Sequence, residues 1–248
     1  MLGYIALALG IAACGRGENA SSHRDEQEKS VAGSAAADSR TIVFVGTSLT
    51  AGLGLADPDQ AYPALIQRKL DSLGLNYRVV NAGVSGETSA GTLRRIGWLM
   101  RGPVDVLVLE TGANDGLRAL SVDSLRSNIQ RIIDTVRTAH PSARIVLVGM
   151  EAPPNLGARY TSSFRAVYPE LARANGAALV PFLLEGVAGV DSLNQPDGIH
   201  PDVSGARIVA ENVWRVLSVV VDGDTSRAIA RDHTTGEGES TPVRSDER

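Results

Sequence analysis

From residue 41 to residue 221 the chain alternates short apolar runs with longer segments whose apolar positions recur at helical spacing. Ile42 to Val45 is the first such run, and Tyr77 to Val80, Val104 to Leu109, Arg144 to Val148 and Ala178 to Pro181 follow it. Short runs rich in β-branched residues and apolar on both faces predict buried strands. Between them lie the expected helices. The clearest runs from Ser121 to about Ala139, where Leu125, Ile129, Ile132, Ile133 and Val136 share one face. Another is expected from Asp57-Pro58, with Asp as cap and Pro in the first position, to Leu73 before Gly74. Three more should run from the Asn81 to Gly86 loop to Met100, from Ser162 to Asn175 with a stop at Gly176, and from Asp202 to Val219.

Buried strands separated by helices need crossovers that carry each helix over a face of the sheet. The expected fold class is therefore α/β: a three-layer α/β/α sandwich on a five-stranded, mainly parallel sheet. Its loops rich in Gly, Asn, Asp and Ser then gather at one sheet edge, where open α/β sheets hold ligands.

Composition narrows this picture at the two ends of the chain. Residues 16–40 are small, polar and charged, and Val31 is their only branched aliphatic residue. Such a stretch buries too little to offset the entropy of ordering, so residues 15–40 are expected to form a flexible tether. Residues 222–248 are expected to be a disordered tail for the same reason. The domain proper is placed at 41–221. Residues 1–14 form an apolar run ending at the single cysteine, Cys14; this run is shorter than the ~20 residues that span a bilayer. Ile11-Ala12-Ala13-Cys14 resembles the lipobox of bacterial lipoproteins, although no Lys or Arg precedes it. That resemblance implies a signal segment cut before Cys14, a lipid anchor on that cysteine, and an exported protein held in the bacterial cell envelope.

One cysteine excludes an intramolecular disulfide and a Cys-rich metal site. The net charge of −4, with Lys and Arg scattered, leaves no basic face for nucleic acid. A composition of 43% apolar and 21% charged residues fits a globular domain rather than a polytopic membrane protein. The loop from Gly46 to Gly54 has neither the Gly-Lys-Ser/Thr ending of a P-loop nor a Gly-x-Gly-x-x-Gly order, so no nucleotide is expected.

Candidate chemistry starts at Ser48, where the first strand gives way to small, flexible residues. Taken alone, a serine there more often caps a helix than attacks an ester. An attacking serine needs a base within reach, a carboxylate to orient that base, and donors for the oxyanion. Of the four histidines, His23 lies in the tether, His233 in the tail and His140 at a helix end beside its dipole. Only His200 stands in a loop at the active edge, and Asp197 precedes it by three residues.

Four separated stretches occur in order: Gly46-Thr47-Ser48-Leu49-Thr50-Ala51-Gly52, Asn81-Ala82-Gly83-Val84-Ser85-Gly86, Gly112-Ala113-Asn114-Asp115-Gly116-Leu117-Arg118 and Asp197-Gly198-Ile199-His200-Pro201. Together they resemble the SGNH, or GDSL-type, serine hydrolases, in the thioesterase, arylesterase and lysophospholipase branch. The resemblance covers Ile42 to about Leu217. It implies a flavodoxin-like fold, Ser48 as nucleophile, His200 as general base and Asp197 as its orienting carboxylate. It further implies an oxyanion hole from the Ser48 amide, the Gly83 amide and the Asn114 side chain, with no metal or organic cofactor. The expected substrate is a small-molecule or lipid acyl ester, one wall of whose site is the loop from Met150 to Tyr160. One position departs from the family pattern: Thr47 stands where the namesake motif has Asp. The rival from another class is a catalytically silent surface lipoprotein that binds lipid or glycan in the same crevice.

Overall fold

The computed structural model describes residues 39–235, with side chains described to residue 221. Cys14, the expected signal segment and the tether to residue 38 lie outside the described residues. The sheet consists of β1 (Arg40–Gly46), β2 (Tyr77–Gly83), β3 (Val106–Glu110), β4 (Arg144–Val148) and β5 (Ala178–Val180). Its order is β2-β1-β3-β4-β5 and every pairing is parallel. The α/β class, the strand count and the parallel sheet expected from the alternation are those observed.

Seven helices connect or follow these strands within the described residues: α1 (Ser48–Ala51), α2 (Tyr62–Ser72), α3 (Ser89–Leu99), α4 (Ala113–Leu117), α5 (Val122–Ala139), α6 (Ala158–Asn175) and α7 (Val203–Thr235). On one side of the sheet α3 packs on α5 and α5 on α6, and on the other α2 packs on α7. The central strands are sealed between these layers. Ile42, Phe44, Val45 and all four residues from Val106 to Leu109 are fully buried, as are the five residues of the predicted α5 stripe.

Strand ends shift by a few residues, and three helix boundaries move by a turn or more, two of them with a clear cause. The helix expected from Asp57 starts instead at Tyr62, after a 3-10 turn at Pro58–Gln60 and an extended Ala61. Pro63 explains this: proline has no N–H and fits only the first helical turn, so a helix begun at Pro58 would have carried it in its interior. The last helix passes the Val219 end expected for it and runs to Thr235. No proline lies between Asp222 and Thr235 to stop it. Residues 236–248 of the expected tail lie outside the described residues. The long loop after β4 is shorter than expected because α6 begins at Ala158.

The order places a switch point between β1 and β3. The chain leaves β1 toward β2 on one side, and later crosses back to β3 on the other, so a crevice opens beyond their carboxyl ends. Ser48 follows β1 and Asn114 follows β3.

Candidate active site

Ser48 opens α1, a helix of four residues that turns away from β1 and ends at Gly52 in the left-handed conformation. Tight packing behind it fixes the residue types. A Cβ on Gly46 would lie 1.9 Å from Thr50 Oγ1 and 2.7 Å from Glu110 Oε2. One on Gly83, the register partner of Gly46, would lie 2.3 Å from the Ala51 amide nitrogen. Both glycines are there because backbone or carboxylate comes too close for a side chain.

His200, the expected base, arrives from the other end of the domain. In the loop before α7, Asp197 Oδ1 accepts hydrogen bonds from the Ile199 and His200 amides, both at 3.0 Å, so the carboxylate organises its own turn. Its second oxygen, Oδ2, lies 2.6 Å from His200 Nδ1, and His200 Nε2 lies 2.9 Å from Ser48 Oγ. An ionised carboxylate can only accept, so Nδ1 carries the proton and donates to Asp197. The Nε2 lone pair then faces the Ser48 hydroxyl, which donates to it. Hydrogen bonding to His200, followed by the two amides, lowers the Asp197 pKa to about 2. Ser48 is 8% exposed, whereas the Asp197 side chain is 46% exposed.

Beside this chain of bonds lies a cavity of about 540 Å³. Ser48, His200, Asn114 and Gly86 line it, and Leu117, Met150, Phe182 and Ile199 give it apolar walls. Ala152, Pro153 and Pro154 of the loop after β4 are in that lining too. Asn114 Nδ2 gives one hydrogen to the Glu87 carbonyl at 3.0 Å, which leaves its second hydrogen for the cavity.

Gly83 stands differently from its expected role as an oxyanion donor. Its amide donates to Asn81 Oδ1 at 3.0 Å, and it is not among the residues that line the cavity. The glycine of that loop at the cavity is Gly86, whose amide meets no acceptor among the described residues. The two loops are sewn together there. Arg118 donates to the Gly86 carbonyl at 3.0 Å, and Asp115 accepts from the Ser89 amide at 2.8 Å and the Ser89 hydroxyl at 2.6 Å. Arg95 and Glu87, paired at 2.7 Å, brace the same loop from below. His140 is elsewhere, at the end of α5, with its Nε2 3.1 Å from the Met100 carbonyl. Among the described residues no cluster of three His, Cys, Asp or Glu has metal-binding spacing.

Glu110 was not singled out from the sequence. It is fully buried behind Ser48, where its carboxylate accepts from the Thr47 amide at 2.6 Å, the Thr47 hydroxyl at 3.0 Å and the Thr50 hydroxyl at 2.9 Å. Burial raises its pKa, and the hydrogen bonds from Thr47 and Thr50 oppose that rise. Tyr62 extends the network, 2.8 Å from Thr50 Oγ1. Because Thr50 donates to Glu110, Tyr62 donates to Thr50. Burial and the neighbouring Glu110 push the Tyr62 phenol well above its ordinary pKa, so it keeps that proton.

A family model described as the GDSL-like lipase/acylhydrolase family matches residues 44–208. The chain belongs to this family. Esterase TesA of Pseudomonas aeruginosa is 43% identical over 182 residues, which are 73% of this chain and 89% of that protein. Thioesterase 1/protease 1/lysophospholipase L1 of Escherichia coli K12 is 36% identical over 193 residues, 77% of this chain and 88% of its own. The crystal structure of the esterase EstA from Pseudoalteromonas sp., inhibited by monoethylphosphonate, is 29% identical with a TM-score of 0.69 and covers 74% of this chain and 99% of EstA. This GDSL hydrolase is thus an enzyme of the carboxylic ester hydrolase class.

Proposed function

We propose that the enzyme cleaves acyl oxygen or thioesters through an acyl-enzyme on Ser48. His200 Nε2 takes the hydroxyl proton as Oγ attacks the acyl carbonyl, and returns it to the departing alcohol or thiol. Water then attacks the acyl-enzyme by the same route, regenerating the serine and releasing the carboxylic acid. Asp197 holds the imidazole in the tautomer this requires. The oxyanion is met by the Ser48 amide, the free hydrogen of Asn114 Nδ2 and the Gly86 amide, the last in place of Gly83. Water-excluded donors of this kind are typically worth ~10² to 10³ in turnover each.

The observation that carries the proposal is the continuous Ser48, His200 and Asp197 chain, at 2.9 and 2.6 Å, opening on an apolar cavity. Those apolar walls favour a hydrocarbon acyl chain, a substrate class consistent with the names of the relatives. Turnover of nitrophenyl esters from acetyl to palmitoyl, with Ser48→Ala beside the wild type, is the test. The substitution should abolish turnover and labelling by a fluorophosphonate; activity that survives it would exclude the mechanism. Export and a lipid anchor on Cys14 complete the proposal, and Cys14→Ser should move the protein from the membrane to the soluble fraction of cells.

A further inference from the structure

Building on the Ser48 reading, we propose that Glu110 is a positioning residue for the nucleophile, acting through Thr47 and Thr50 on the aim of Ser48. Leu109 pairs with Val45 in the β3–β1 register, which places Glu110 opposite Gly46. Because Gly46 has no side chain, the carboxylate reaches across the sheet edge and grips the residues on both sides of the nucleophile. Thr47 is held by its amide at 2.6 Å and its hydroxyl at 3.0 Å, and Thr50 by its hydroxyl at 2.9 Å. Thr47 makes no side-chain cap to its own helix, so the turn takes its anchorage from β3.

The same strand leads through Thr111 and Gly112 to Asn114. One carboxylate therefore sets the nucleophile turn at a fixed offset from the loop that carries an oxyanion donor. All of these partners are donors, which is the complement an ionised, acceptor-only carboxylate needs when it is out of water. Thr47 is part of that fit. An aspartate in its place would set a second carboxylate against Glu110, whereas threonine adds a hydroxyl donor without a charge.

Positioning matters because a misplacement of 1 Å costs about 10²-fold in rate. Glu110→Gln keeps the shape but turns one oxygen into a donor that faces other donors. In the full-length enzyme acting on nitrophenyl butyrate, Glu110→Gln should lower kcat per titrated active site ~10- to 100-fold, with KM held within about twofold because the cavity walls are untouched. Thr47→Ser, which keeps the hydroxyl, should retain at least about half of the wild-type kcat, and Thr47→Val should lose most of it. A purely structural role would lower Tm and the fraction of sites titrated by fluorophosphonate while kcat per site stayed at the wild-type value. That result would overturn the proposal. Should Glu110→Gln fail to fold, the Thr47 pair decides: equal kcat per site in Thr47→Ser and Thr47→Val would overturn it. Ser48→Ala separates the two levels, since activity surviving there removes the nucleophile itself, whereas its loss with an unchanged Glu110→Gln removes only the positioning role.

Discussion

Two carboxylates serve the same site under opposite conditions. Glu110 is sealed behind the nucleophile turn, and Asp197 stands in solvent behind the histidine. Each accepts several hydrogen bonds, yet the Asp197 pKa is lowered to about 2 whereas the Glu110 pKa is raised. Hydrogen bonding favours the charged form of both. Desolvation is small for Asp197 and dominant for Glu110, and that alone reverses the sign. On the proposed reading the buried acid fixes geometry, while the exposed one, held ionised, orients the histidine.

Four substitutions or titrations can break or sharpen that contrast. The largest effect is expected at the exposed carboxylate. Asp197→Asn should lower kcat/KM by ~10² to 10⁴, while Tm changes by no more than about 2 °C, because an exposed side chain supports little packing. A kinetic loss matched by a comparable loss of stability would show the two regions to be alike. Next comes Asn114→Ala, which should reduce kcat by ~10² to 10³; the test is single-turnover acylation, and an unchanged rate would remove Asn114 from the oxyanion site.

Gly46→Ala probes the buried side. Its Cβ would overlap Thr50 Oγ1 and Glu110, so a loss of ~1 to 3 kcal/mol is expected in thermal or urea unfolding. The smallest effects are those of pH on stability. A raised folded-state pKa makes Glu110 favour the native state most at low pH, and this contribution is lost as pH rises from the unfolded value of ~4.3 through the folded one. The Tm of wild type relative to Glu110→Gln should therefore fall over that window. Asp197 has the reverse sign: its contribution is present above the unfolded value of ~3.9 and is lost as pH falls through about 2. Exposure makes that second change slight. Parallel pH trends for the two variants would refute the assignment of burial as the deciding term.

The strands were legible because each is written locally, whereas Ser48, read alone as a helix cap, was singled out only together with Asn114, Asp197 and His200 in the four ordered stretches. Ile42 to Val45, short, apolar and β-branched, reads as a buried strand, and Asp197 and His200 lie within one turn of each other. The misplaced start of α2 was legible too, since Pro63 stood in plain view. Glu110 was not, because at the end of a strand it looks like any residue that opens a loop. Its role exists only once β1 and β3 lie side by side and Gly46 leaves room. Gly83 ends β2 and Gly86 lies three residues further on in the loop that follows it, and only the path of the backbone separates the one packed on Ala51 from the one at the cavity.

The bond between Ser48 and His200 joins positions separated by 152 residues. If Ser48 and His200 act as proposed, the first four-fifths of the chain should hydrolyse no ester, however well β1 and its turn have formed. During synthesis Ser48 is made early and His200 late, so on the proposed mechanism a chain truncated before the segment leading into α7 should be inert. On that mechanism, ester turnover would report in a single reading that both ends of the domain have met.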